Sequence, residues 1–170
     1  MKSMNAAQRG FTLIELIVVI SIIAILAINA LPRLIETQRD ARVAKAQSIY
    51  ALLRSASALA HSRCLLDISS AAPNQTLVNC NSNPPAVDME GIMVVIRNRY
   101  PAASADGIDT AAQINGGNDG LNISNGGGVP TRFYDLAGGT APECRVSYQE
   151  ATVNGGVYSA PVISVVTTGC

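Results

Sequence analysis

A run of apolar residues from Phe11 to Leu31 constrains this chain more than any other feature. Its only charged residue is Glu15, and its other polar residues are Thr12, Ser21 and Asn29. As a helix, a run of this length rises about 31 Å, close to the thickness of the hydrocarbon core of a bilayer. The sequence therefore predicts one segment of membrane-spanning length, followed by a soluble domain of modest size.

Glu15 separates three interpretations of residues 1–31. A secretory signal peptide would be cleaved after the apolar run, but residues 28–30 form a poor cleavage site and Glu15 would interrupt the apolar region. A plain signal anchor fits the length and leaves the carboxylate unexplained, since a charge within the bilayer costs about 2.5–3.5 kcal/mol on insertion scales. The third interpretation takes the stretch RGFTLIE, residues 9–15, as one motif.

This stretch resembles the processing motif of type IV prepilins and type II secretion pseudopilins. Members of that family have a short basic leader ending in glycine, then an aromatic residue, and a glutamate four residues further on; Pro32 also matches. The resemblance implies cleavage between Gly10 and Phe11 by prepilin peptidase on the cytoplasmic side, followed by N-methylation of Phe11. It further implies that Glu15 and Pro32 act in assembly, with Glu15 meeting the Phe11 amine of a neighbouring subunit.

The resemblance implies the type IV pilin fold of the α+β class, in which a long N-terminal helix packs on a small antiparallel β-sheet head. The expected parts are a leader (1–10), a transmembrane or filament-core helix half (11–31), an amphipathic helix half (32–63) and a globular head (64–170). The chain would begin as a single-pass protein of the bacterial inner membrane, with its head in the periplasm. It would then join an extracellular helical homo-oligomer, with prepilin peptidase and the pilus assembly machinery as its other partners.

Within the family, residues 32–66 and the stretch DMEGIMVVIRNRYPAASADGI, residues 88–108, are most similar to the mannose-sensitive haemagglutinin type of type IV pilin. The final Gly169-Cys170 also fits that group. One position departs from the family pattern, because Ala24 stands where many pilins have a glycine that helps the helix loosen before the proline. The extent of unwinding between Ala24 and Pro32 in a filament is therefore open.

Charge is unevenly distributed along a chain whose formal net charge is zero. Residues 33–63 carry six basic and two acidic side chains, whereas nine acids face four bases beyond Cys64. The acidic head disfavours nucleic-acid binding, because phosphate contacts need Lys and Arg. A basic stalk and an acidic head could meet in neighbouring copies, the basic part could lie near anionic lipid, or both could be solvated surfaces.

The orientation of the chain follows from competing signals. A bare count of the basic residues that flank the apolar run would place the head in the cytoplasm. Long domains, however, cross the membrane largely regardless of charge. The processing motif, the large C-terminal domain and the cysteines favour an exported head.

Four widely spaced cysteines indicate disulfides formed in an oxidising compartment. They allow three connectivities, of which the sequential one, Cys64 with Cys80 and Cys144 with Cys170, closes the shortest loops and is favoured. Four buried thiols are the alternative. A Cys144–Cys170 bond would also resemble the disulfide-bounded C-terminal region of many type IV pilins. Because there is no C-x-x-C spacing and only one histidine, His61, no metal or other cofactor is expected.

Past Pro32 the sequence is rich in helix formers and has no glycine or proline before Cys64. Apolar and small residues recur there at steps of mostly three and four: Val43, Ala46, Ile49, Tyr50, Leu53, Ser57, Ala60 and Cys64. This stripe is expected to pack against the head. The basic residues Arg39, Arg42, Lys45 and Arg54 should be exposed, and Pro32 should kink or break the helix.

The head pattern predicts a loop over residues 65–85, a short helix over residues 87–100 with a strand at MVVI as the alternative, and an irregular loop over residues 114–128. Strands are predicted near residues 131–136, 144–151 and 157–168. Within the Gly-rich loop, Asn118, Asp119 and Asn122 could suggest a calcium site. Their spacing does not fit an EF-hand, and turn chemistry explains them equally well.

The sequence shows no enzyme signature, since a single histidine leaves no Ser-His-Asp set and no G-x-x-x-x-G-K-[ST] loop is present. Three hypotheses follow. The chain is a pilus subunit for adhesion, surface attachment or motility, or it is a type II secretion pseudopilin or minor pilin. The third is a membrane-anchored binding protein or enzyme that never polymerises.

Overall fold

A computed structural model describes residues 11–69, 80 and 82–170. The leader, with Gly10, and residues 70–79 and 81 of the predicted loop over residues 65–85 lie outside the described residues. Residues 65–69 were predicted to be in that loop, but they continue the helix, which ends at Ser69. Within these described residues, one helix, α1 (Leu13–Ser69), precedes a π-helical turn (Ala105–Asp109) and nine short strands: β1 (Ala86–Met89), β2 (Ile92–Arg97), β3 (Tyr100–Pro101), β4 (Leu121–Gly126), β5 (Thr131–Leu136), β6 (Arg145–Gln149), β7 (Val153–Asn154), β8 (Val157–Tyr158) and β9 (Val162–Val166). This is the predicted α+β architecture, and residue contacts divide the chain into two units, residues 1–39 and 40–170.

The strands form three antiparallel sheets. The largest has the order β4-β5-β6-β9, the second is β1-β2-β3, and the third is the β7-β8 hairpin. In the largest sheet Tyr134 on β5 pairs with Val146 on β6, and both side chains are completely buried. The predicted strands near residues 131–136 and 144–151 are confirmed as β5 and β6, whereas the third predicted run is divided into β8 and β9 around Pro161.

The predicted helix over residues 87–100 is wrong, because these residues form the β1–β2 hairpin. Glu90 and Gly91 both have positive φ, 56° and 85°, and make a two-residue turn between the paired Met89 and Ile92. A helix would also scatter the apolar side chains. As strands, β1 and β2 place Val87 and Val94 opposite each other and bury both.

The predicted irregular loop over residues 114–128 contains a strand that the sequence analysis missed. β4 (Leu121–Gly126) pairs along its whole length with β5, from Leu121 opposite Leu136 to Gly126 opposite Thr131. Two asparagines, a serine and a glycine make up most of its six residues and have little intrinsic strand preference, so the neighbouring β5 supplies the stabilisation. The preceding turn uses Asp119, whose carboxylate accepts the backbone N–H of Asn115 at 2.8 Å.

The predicted apolar stripe on the second half of α1 is confirmed. Its buried members are Ala46, Ile49, Leu53, Ser57, Ala60 and Cys64, with Val43 and Tyr50 partly buried. Ala56, which was not part of the prediction, is buried as well. The first core cluster joins Ile49 and Leu53 to the large sheet and to Ile108 of the π-helical turn. The second joins Cys64 and Ala60 to the β1–β2 hairpin. The head is thus assembled on one face of residues 40–69.

Two of the four basic residues expected to be exposed on this helix are partly buried. Arg39 and Arg54 are exposed, but the Arg42 Nε donates to the backbone oxygen of Cys170 at 2.5 Å. Lys45 donates in the same way to the backbone oxygen of Asp119. Long basic side chains can lie along an apolar surface and still place their charge on a carbonyl, which the helical period alone does not predict.

Candidate processing and assembly segment

Helix α1 begins with an N-terminal cap at Thr12. The Thr12 Oγ1 accepts the backbone N–H of Glu15 at 3.3 Å, and the Thr12 carbonyl accepts that of Leu16 at 3.2 Å. Thr12 is therefore the N-cap and Glu15 the third helical residue, the T-x-x-E spacing of a capping box. This role of Thr12 was not predicted, although the T-x-x-E spacing is a recognised helix-start signal.

The apolar run that follows has no partner within the described chain. Phe11 is 88% exposed, and Ala27 is the single residue between 11 and 41 that is not classed as exposed. Among the described residues, α1 is the one helix long and apolar enough to cross a membrane by length and composition, with a mean hydropathy of 2.7 in its most apolar window. An apolar surface this long requires lipid or other helices around it.

The uncharged polar side chains of the run are satisfied by the helix itself. Ser21 Oγ donates to the carbonyl of Ile17 at 2.8 Å, and Asn29 Nδ2 donates to that of Ile25 at 3.0 Å. The Glu15 carboxylate, in contrast, makes no hydrogen bond or ion pair within the described residues. Glu15 is therefore the polar group of the run that still needs a partner.

Pro32 lies inside α1, so the helix does not break there as the sequence predicted. A proline in a helix interior has no N–H to donate to the carbonyl four residues earlier, here that of Ile28. The Asn29 side-chain amide stabilises the preceding turn by donating to the carbonyl of Ile25. Ala24 is helical and exposed one further turn back. The helix around Pro32 therefore lacks one backbone hydrogen bond but continues without a break.

Both disulfides of the structure follow the sequential pairing. Cys64, at the end of the buried stripe, is bonded to Cys80 with a Cα–Cα distance of 5.2 Å. Cys144, just before β6, is bonded to Cys170 with a Cα–Cα distance of 4.8 Å. The loop around the second bond is tight, since a Cβ on Gly139 would lie 2.5 Å from the Cys144 Cβ.

The last residues of the chain are held by backbone hydrogen bonds as well as by the disulfide. The Gly169 N–H donates to the carbonyl of Glu143 at 2.9 Å, and the Thr140 N–H donates to the carbonyl of Gly169 at 3.0 Å. Arg42 from α1 adds its bond to Cys170. The C-terminal loop is thus fixed to the loop between β5 and β6 and to the head-bearing part of the helix.

A buried carboxylate, Asp109, organises the centre of the head. It accepts a hydrogen bond from the Tyr134 phenol at 2.5 Å and from the Arg132 Nε at 3.0 Å. The hydrogen bond and charge of Asp109 raise the pKa of Arg132. Burial, and then the hydrogen bond to Asp109, raise the pKa of the Tyr134 phenol well above its ordinary value. This network is structural, since it joins the π-helical turn to β5.

The described residues contain no group of three or more His, Cys, Asp or Glu side chains arranged to hold a metal ion. Of the three polar residues considered for calcium, Asn122 lies within β4, and Asn118 and Asp119 lie in the turn before it. The Asp119 carboxylate already accepts a backbone N–H in that turn. His61 stacks on Tyr100 with a centroid distance of 4.0 Å, and its Nδ1 lies 2.8 Å from the carbonyl oxygen of Arg99. These contacts give His61 a packing role in the head.

Residues 5–28 match the family model of the prokaryotic N-terminal methylation motif. No curated protein and no solved structure matches the chain. The matched segment includes the glycine, the aromatic residue and the glutamate on which the resemblance to type IV pilins and pseudopilins rests. Together with a long N-terminal helix followed by small antiparallel sheets, it supports a pilin-like protein that is processed by prepilin peptidase and anchored in a membrane by its apolar helix.

Proposed function

We propose that this member of the type IV pilin and pseudopilin family is the structural subunit of a type IV pilus. Prepilin peptidase would cleave between Gly10 and Phe11, Phe11 would be N-methylated, and mature subunits would polymerise through the helix half of residues 11–31. The filament would serve adhesion, surface attachment or motility. The observation that carries the proposal is Glu15, an unpartnered carboxylate within an exposed apolar helix.

The electrostatics of Glu15 favour an assembled state over a lone subunit. In a bilayer the carboxylate would cost about 2.5–3.5 kcal/mol on insertion scales. Cleavage after Gly10 would create a cationic amine on Phe11, about one helical turn from Glu15 along the axis. When helices pack with an axial offset, the amine of one subunit can face the carboxylate of the next. Opposite charges about 4 Å apart at an effective dielectric near 20 attract by about 4 kcal/mol, which offsets much of the burial cost.

The cysteines support an exported head. Bonds such as Cys64–Cys80 and Cys144–Cys170 form and persist in oxidising compartments, of which the bacterial periplasm is one. We therefore place the head in the periplasm before assembly and on the outside of the filament afterwards. Residues 32–63 would join the membrane-embedded helix half to the head, with Pro32 at the junction.

The experiment compares two substitutions on the same helix in cells that lack the native protein. Glu15→Val should permit membrane insertion and cleavage, because it makes the run more apolar. It should nevertheless reduce the filaments sheared from the cells by at least about tenfold, since it removes a contact worth several kcal/mol. Glu36→Val is the matched control, because Glu36 is exposed on α1 outside the apolar run. Normal filament yield from Glu15→Val would refute the proposal.

The abundance of the chain in the sheared material decides between the proposed role and its closest alternatives. A structural subunit should be the dominant protein of the filaments. Normal filaments in which this chain is a trace component, or is absent, would instead indicate a minor pilin or a type II secretion pseudopilin. If this chain never enters filaments and its function is unchanged by substitution of Glu15, an anchored protein that does not polymerise is favoured.

A further inference from the structure

The head carries a groove with an apolar floor and an acidic rim, between α1 and the β1–β2 hairpin. Its volume is about 320 Å³. The floor includes Leu59 of α1, which is 62% exposed, together with Ile92 and Val94 of β2. An exposed leucine beside an exposed isoleucine forms a surface that gains free energy when another apolar surface covers it.

Two carboxylates, Asp88 and Glu90, form the rim of the groove at the tip of the hairpin. Both are exposed, and within the part of the chain that the structure describes neither forms an ion pair. Asp88 accepts the N–H of Gly91 at 2.7 Å, which fixes its position and leaves its charge uncompensated. The other charged residue that lines the groove, Arg63, is paired with Asp67 at 3.3 Å. The rim therefore attracts a cation.

The complementary surface occurs on the first unit of the same sequence. Leu31, Leu34 and Ile35 are all exposed and share one helix face, since they are separated by three and four residues. Arg39 lies about 90° around the helix from the centre of this face, at a rotation of about 100° per residue. It is exposed and makes no ion pair within the described residues.

The remaining charges of this helix segment lie away from that face. By the same rotation, Arg33, Glu36 and Asp40 fall on the opposite side of the helix. The face from Leu31 to Arg39 thus combines three aliphatic side chains and the uncharged Gln38 with a single flanking cation. This matches the groove in both respects, apolar against apolar and cation against carboxylates.

We propose that the groove of one subunit receives the Leu31–Arg39 face of a second copy of this chain. Leu34 and Ile35 would cover the floor, and Arg39 would approach Glu90 and Asp88. The inference rests on the proposed function, because it requires that the chain polymerises, and it names one contact that holds the polymer together. Charge complementarity at such a contact sets the register of neighbouring subunits more than it adds affinity.

Charge reversal tests the pairing in intact filaments. Glu90→Arg and Arg39→Glu should each lower the yield of sheared filaments about tenfold, because each places like charges together. The double variant should recover to within about twofold of the unmodified chain. Asp106→Arg and Arg33→Glu are matched controls, since they make the same charge changes at exposed positions outside the two surfaces. Both controls should assemble normally.

Photo-crosslinking tests the same contact without relying on yield. A benzophenone amino acid in place of Leu59 should join two chains in irradiated filaments, seen as a dimer on a denaturing gel. The crosslink should map to the tryptic peptide of residues 34–39. Intact disulfides and unchanged protease resistance would show that each variant head is folded.

The outcomes separate this inference from the proposed function. Normal yield from Glu90→Arg, no rescue in the double variant, or a crosslink to any other segment would overturn the inference alone. If the unmodified chain forms no filaments, both the inference and the proposed function fail. Rescue by the double variant together with a crosslink to residues 34–39 would establish the contact.

Discussion

Replacing Asp109 with alanine tests the network at the centre of the head. Asp109 is 5% exposed and holds two buried groups, the Arg132 guanidinium and the Tyr134 phenol. The Arg132 side chain is 13% exposed, and Tyr134 is completely buried. The substitution therefore leaves a nearly buried cation and a buried hydroxyl without their acceptor, and it leaves a small void in the π-helical turn.

The loss of stability in Asp109→Ala can be worked out from the groups that lose their ion-pair or hydrogen-bond partner. Removing one member of a buried ion pair costs about 3–5 kcal/mol, because the other charge is left uncompensated. Arg132 retains a hydrogen bond to the Asn125 side chain at 2.7 Å, which limits the loss toward the lower half of that range. At roughly 4 °C per kcal/mol for a unit of this size, the melting temperature of the head should fall by about 12–16 °C.

The assay is thermal unfolding of the full chain in detergent at neutral pH, followed by the near-ultraviolet circular dichroism of the head tyrosines. Asp135→Ala is the matched control, on the strand that carries Arg132 and Tyr134. Its carboxylate pairs with Arg145 at 2.5 Å, but the Arg145 side chain is 25% exposed and can be hydrated when the pair is broken. We expect the control substitution to lower the free energy of unfolding by about 1 kcal/mol. The reasoning is refuted if Asp109→Ala unfolds no earlier than Asp135→Ala.

Three further predictions concern the head and the start of the helix. Because the pKa of Tyr134 is raised, its contribution to the free energy of unfolding is intact below about pH 10 and is lost above it, by about 1.4 kcal/mol per pH unit. Tyr134→Phe should reduce this alkaline slope in denaturant titrations without abolishing it, since burial raises the pKa of Tyr148 also. Replacing Cys144 and Cys170 together with serine should cost about 3.5 kcal/mol for the loop that they close, and an unchanged denaturation midpoint would contradict this. Thr12→Ala should weaken the first helical turn by about 1 kcal/mol, seen as faster amide exchange at its N–H groups in micelles, whereas Thr12→Ser should not.

The helix was predictable from the sequence because its signals are local. The apolar stripe from Ala46 to Cys64 indicates which face of the helix packs on the head, because the helical period places those residues on one face. The same period does not show what a basic side chain at its edge will reach. Arg42 and Lys45 find carbonyl oxygens from distant parts of the chain, which only the folded head brings near.

The errors in the head arose where backbone conformation or a neighbouring strand decides the structure. Glu90 is an unusual residue for a left-handed turn position, so the stretch around it lacked the Asn-Gly signal of a tight hairpin. β4 has a loop-like composition and is a strand because β5 pairs with it. Both depend on contacts that a local pattern does not contain.

The functional and structural residues of the candidate site likewise fall into two groups, those that the local sequence predicts and those that only the fold brings together. The processing motif at Gly10 and Phe11 and the carboxylate of Glu15 are recognisable because they are contiguous. Thr12 could have been recognised as a cap from the same few residues. The Asp109 network could not, since Arg132 and Tyr134 lie more than twenty positions away and are brought to it only by the sheet.

The acidic side chains of this protein fall into two groups, those that have a partner within the chain and those that do not. The buried acids of the head are paired within the chain, since Asp109 binds Arg132, and Glu150 accepts the N–H of Ala103 at 2.9 Å. Glu15 and Glu90 have no such partner among the described residues. Changes to the internal pairs should therefore lower the melting temperature of the head and leave assembly of the surviving protein unchanged. Changes at Glu15 and Glu90 should do the reverse, because their proposed partners lie on another molecule.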